Sequence, residues 1–164
     1  MSFSESVQLA QLVRSQAESF KDACSGLQEA DAGKAPQGRW SAKQIVSHVL
    51  GPEGVGNMPV LQGFLDQDTP RFDLVPEDPF FTEKRAGMTL AELLREFDQE
   101  YGRIADFAAG LTVAQLARKA QIPMLKESPL GEYPTLGQWI GALADWHLGF
   151  HADHLKEIRK ALGV

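Results

Sequence analysis

The stretch TLAELLREFDQEYGRIADFAAG, residues 89–110, decides the fold class. Thr89 is followed three residues later by Glu92, the capping-box pattern, in which two side chains satisfy backbone N–H groups left unpaired at a helix start. Leu90, Leu93, Leu94, Phe97, Tyr101, Ile104 and Ala108 then recur at spacings of three and four, which places them on one face of an α-helix. Gly110 supplies a C-terminal stop.

The same box recurs at Ser2/Glu5, Ser41/Gln44, Thr112/Gln115 and Thr135/Gln138. One match carries little weight, but five matches, each followed by helical periodicity, predict an all-α protein. The first helix is expected over residues 3–27, with Phe3, Val7, Ala10, Val13, Ala17, Phe20, Cys24 and Leu27 inward. A linker, ADAGKAPQG, follows it. The second helix opens at Ser41 and presents Ile45, His48 and Val49 on one face; Pro52 in GPEGVG interrupts it, with a kinked continuation through NMPVLQGFL. A short helix is expected over 112–120, and a long last one from Thr135 to Leu162, closed by Gly163. Residues 66–87 and 121–134 show no helical period, and loops that long tend to be functional or mobile. No repeat and no convincing strand alternation appears. The expectation is one domain over residues 1–164: a four-helix bundle with long crossover connections and a short extra helix.

Composition narrows the function. The 164 residues carry a net charge of −6 with both signs interspersed, which argues against the basic footprint of a nucleic-acid-binding protein. No apolar run approaches the ~20 residues of a membrane span, and MSFSESVQLAQ lacks the basic start and apolar centre of a signal peptide. A cytoplasmic protein is expected. Cys24 is the single cysteine, so no internal disulfide forms; within an apolar stripe it reads as an inert buried thiol.

The chain has four histidines, and three of them, His147, His151 and His154, fall in WHLGFHADHL near the C-terminus. At 100° per residue, with His147 at zero, His151 lies at about +40° and His154 at about −20°. Ile140 and Ile158 (about +20°), Leu143 (about −40°), Phe150 (about −60°) and Trp139 (about −80°) flank the same stripe, while Asp145, Lys156, Arg159 and Lys160 fall opposite. The imidazoles therefore point into the core. A buried imidazole is costly unless its nitrogens find partners. His147 and His151, at i and i+4, can converge on a metal about 2 Å from each, and His48, on the apolar face of its own helix, could add a third ligand. Two or three histidines leave coordination positions open, as catalytic sites do. A hydrogen-bonded histidine core without metal is the alternative. The zinc-protease motif fails, because HLGFH has Leu148 where Glu is required, and no Gly-rich phosphate loop is present.

With RWSAKQIVSHVLGPE (39–53) and WHLGFHADHL (146–155), the chain resembles the DinB superfamily, which includes bacillithiol-S-transferase-like proteins and mycothiol-dependent maleylpyruvate isomerases. The resemblance covers most of the chain and implies a four-helix bundle binding nickel, zinc or iron through three histidines, with His48 as the helix-2 ligand. The last helix is similar to W-H-x-x-H-H-x-x-H-[IL], which assigns His147 and His151 and puts Phe150 where the pattern has a histidine. The register H-x-x-x-H-x-x-Q-I would instead use positions 150 and 154, leaving only His154 able to ligate. His147 and His151 are preferred as the intact pair, with His154 as a pocket or supporting residue. Glu53, where many members carry an acidic residue, could orient a ligand imidazole or be a solvated turn residue. The function implied is a metal-dependent thiol-S-transferase or related detoxification enzyme, working on a small thiol and an electrophile or on water. Trp40, Trp139, Trp146, Phe80 and Phe81 could line its pocket. A homodimer is expected; a non-catalytic interaction bundle is the rival reading.

Overall fold

The computed structural model describes residues 4–164, and among these every regular element is helical. The helices are α1 (Glu5–Ala23), α2 (Glu29–Ala32), α3 (Ala42–Leu50), α4 (Met58–Asp66), α5 (Glu83–Ala86), α6 (Leu90–Ala109), α7 (Val113–Leu116), α8 (Leu136–Gly141) and α9 (Leu148–Leu162). A 3-10 turn spans Pro123–Leu125, and a π-helical turn, Ala142–His147, joins α8 to α9 without a break. α1, α3, α6 and the α8–α9 rod pack against one another as a four-helix bundle.

Four of the five expected capping boxes are present, at Ser41/Gln44, Thr89/Glu92, Thr112/Gln115 and Thr135/Gln138. The fifth does not start α1. Ser2 and Phe3 lie outside the described residues, and the cap is Ser4, whose hydroxyl accepts from the Val7 N–H. α1 also ends earlier than the periodicity suggests, because Gly26 turns the chain with φ +76°. α3 does not continue as a kinked helix: Gly51, at φ +78°, closes it, and α4 begins separately at Met58.

The core follows the predicted faces. Phe20 and Phe97 stack with ring centroids 4.8 Å apart, Phe97 meets Tyr101 at 4.5 Å, and the Tyr101 hydroxyl donates to the Val49 carbonyl at 2.8 Å. The two irregular segments are tied to each other. Phe72 N–H donates to the Gln121 carbonyl at 2.9 Å and Gln121 N–H to the Pro70 carbonyl at 2.7 Å. Among the described residues no helix is long and apolar enough to cross a membrane.

The π turn corrects the uniform helical wheel. Trp139 and Trp146 are seven residues apart and so would lie within about 20° on an ideal helix. Trp139 is buried, whereas Trp146 is 68% exposed. One extra residue in the turn rotates everything before it relative to everything after. Phe150 also lies at the surface, 55% exposed and stacked on Trp146, rather than in the apolar stripe.

Candidate metal centre

His48 reaches the bundle interior from the last turn of α3; His147 ends the π turn, and His151 follows one turn later on α9. One ring nitrogen from each lies within 4.8 Å of the others. The rings are packed edge to face: His48 and His151 centroids are 4.6 Å apart, and His147 and His151 are 4.8 Å apart at 88°.

The His48 tautomer follows from its partner. Its Nδ1 lies 2.6 Å from the Asp78 main-chain carbonyl, which can only accept, so the proton sits on Nδ1 and Nε2 is bare. That Nε2 is 3.0 Å from Nε2 of His147. Nδ1 of His147 is buried with no partner. His151 Nδ1 faces His154 Nδ1 at 3.4 Å, which leaves its Nε2 free.

Burial sets the protonation. Desolvation, reinforced by the other imidazoles, pushes the pKa of His147 down to about 4 and that of His151 down to about 2. His48 is lowered by burial as well, partly offset by the Asp78 carbonyl. His154, half-buried, is lowered by burial and then by the Arg39 charge. All four are neutral near pH 7, the form in which imidazole binds metals.

These residues fit a divalent cation. Two nitrogens at about 2.0–2.1 Å from a tetrahedral ion stand about 3.3 Å apart, close to the His48–His147 separation. The lone pair of His48 Nε2 is already aimed inward, and a main-chain carbonyl holds its other nitrogen, the usual arrangement around a ligating histidine. Three neutral nitrogens suit zinc, nickel and iron alike.

Aromatic rings frame the cluster. Trp40 lies 5.2 Å from His48 and stacks on His151 at 6.5 Å, and Phe80 stacks on His48 at 6.1 Å. Trp146 and Phe150 flank His147 and His151 from the surface. Trp139, expected as a lining residue, belongs to the core instead.

Glu53 does not touch an imidazole. Its carboxylate accepts from the Thr82 hydroxyl at 3.1 Å, and the oxygen on His48 is the Asp78 carbonyl. A main-chain contact of this kind leaves no residue-type signature, so Asp78 escaped sequence reasoning. The bulky Phe80, two residues further on, adopts φ +49°, a left-handed conformation that costs energy for a non-glycine residue.

The sequence model of the DinB superfamily matches residues 11–155. The chain belongs to the DinB superfamily. No curated protein matches it at a significant level. Among solved structures it is similar to YfiT from Bacillus subtilis, at 20% identity and a TM-score of 0.75, over 99% of this chain and 91% of that one. YfiT is described as "a probable metal-dependent hydrolase with an unusual four-helix bundle topology". A protein from Streptococcus pneumoniae is similar at 12% identity and a TM-score of 0.68, over 98% of this chain and 93% of that one. At these identities the likeness is one of fold.

Proposed function

We propose that this DinB-superfamily protein is a metal-dependent enzyme in which His48, His147 and His151 hold a divalent zinc, nickel or iron ion and a small thiol is transferred to an electrophile. The observation that carries the reading is the convergence of three neutral imidazoles from two helices within 4.8 Å. A cation held there lowers the pKa of a bound thiol or water and acts as a Lewis acid.

The protein's own residues supply the rest. His48 is held in one tautomer by the Asp78 carbonyl. Trp40 and Phe80 pack over the imidazoles. His154 stands beside His151, Nδ1 to Nδ1 at 3.4 Å, and as the acceptor there would keep the His151 proton on Nδ1 and leave Nε2 for the metal. The nucleophilic sulfur must come from outside. Cys24 is 4% exposed, burial pushes its pKa up to about 12, and it is not part of the group formed by His48, His147 and His151. Hydrolysis is the second reading, favoured by the description of YfiT as a metal-dependent hydrolase.

Elemental analysis of protein purified without a nickel column, as wild type and as His147→Ala, tests the metal. A stoichiometric metal lost in the variant supports the proposal. Absence of metal, with stability indifferent to added zinc, refutes it in favour of a hydrogen-bonded histidine core. Loaded protein incubated with small thiols and a reactive electrophile, against electrophile and water alone, then separates transfer from hydrolysis.

A further inference from the structure

Arg85 is 3% exposed, and among the described residues no carboxylate lies within ion-pair distance of it. A buried guanidinium without an ion pair is expensive. Its Nη1 donates toward the Gly51 carbonyl at 2.6 Å and toward the Ser47 carbonyl, the Ser47 hydroxyl and the Phe80 carbonyl, each at 3.2 Å. Ser47 and Gly51 bracket His48 at the C-terminal end of α3, where carbonyls lack helical partners and a cation is favoured. The Ser47 hydroxyl also donates to the Phe80 carbonyl at 3.0 Å. Phe80 holds its left-handed backbone two residues from Asp78, whose carboxylate accepts the Phe80 N–H at 2.7 Å and whose carbonyl accepts from His48.

One cation therefore ties the helix bearing His48 to the strained loop that fixes its ring. We propose that Arg85 is a positioning residue: it clamps the 78–80 loop onto α3, so that the Asp78 carbonyl keeps the His48 proton on Nδ1 and turns Nε2 toward the other two histidines. The consequence for metal binding rests on the metal reading above; the consequence for the tautomer does not.

Arg85→Lys is the test, because one nitrogen, Nη1, makes all of these contacts and a lysine ammonium ends one bond short of it. In metal-free protein, nitrogen-15 NMR should show His48 leaving the pure Nδ1–H tautomer. Chelator competition with Zn²⁺ on the folded protein should show affinity about 10–100-fold weaker. Phe80→Gly, introduced into Arg85→Lys and compared with Phe80→Gly alone, should restore most of the tautomer, since glycine adopts a positive φ without strain. Should Arg85→Lys fail to fold, Ser47→Ala removes one tie and should move the tautomer in the same direction. A lower melting temperature with the tautomer and the zinc affinity of the folded protein unchanged would show an architectural role only and overturn the proposal. If wild type binds no zinc, the tautomer alone decides, and a shift in Arg85→Lys still upholds the clamp.

Discussion

Replacing His147 by alanine separates two properties that its imidazole combines. Burial, helped by His48, pushes its pKa from 6.5 down to about 4, so the folded protein keeps it neutral where the unfolded chain takes up a proton. Between those values the unfolded state binds more protons, so stability is lost as the pH falls. At 1.36 kcal/mol per pKa unit, this residue alone should weaken the fold by about 2 kcal/mol between about pH 7 and about pH 5. In a chain of this size that corresponds to roughly 4–8 °C of melting temperature. His48 and His151 remain in the variant, so their own pH dependence cancels to first order. Urea unfolding of metal-free wild type and His147→Ala at the two pH values should therefore show a shallower loss in the variant by about that amount. Zinc at about 100 times its Kd should add about 2.7 kcal/mol to wild type and little to the variant. Parallel losses with pH and equal responses to zinc would refute the picture of a buried, neutral, metal-ready imidazole.

His154→Ala leaves the three converging nitrogens in place but removes the group facing His151 Nδ1, so zinc should still bind at one equivalent with affinity about 10–100-fold weaker; chelator competition on the folded variant measures it. Cys24 should react with thiol reagents only after unfolding, because it is 4% exposed and burial raises its pKa to about 12, and Cys24→Ala should retain the full metal content of wild type; mass spectrometry and elemental analysis check both. Gly56→Ala should destabilise the fold by more than about 1 kcal/mol in urea unfolding, since φ is +67° and a Cβ would run into the buried Glu100 carboxylate.

The bundle was legible because its signals are local. A Thr or Ser with Glu or Gln three residues on makes its hydrogen bonds within one turn, so Thr89, Thr112, Thr135 and Ser41 cap helices whatever surrounds them. The stripe of His147 and His151 was legible for the same reason: i and i+4 share a face in any helix. Arg85 and Asp78 were not, because they sit in a proline-rich segment without period, and their contacts to α3 run through main-chain carbonyls, which every residue type possesses.

What the sequence determined by itself, then, was the helical class, the apolar faces and which residues could offer nitrogens to a cation, since all of these depend on spacing along the chain. Only the tertiary structure decided that α3 stops at Gly51, that a π turn sets Trp139 and Trp146 on different sides of the rod, and that His48 meets His147 across 99 residues with its proton held by Asp78. The physical reason is that capping and periodicity are energies of neighbours in sequence. Convergence at the site is an energy of groups brought together by burial, and one inserted residue in a helix shifts its register without altering any local signal.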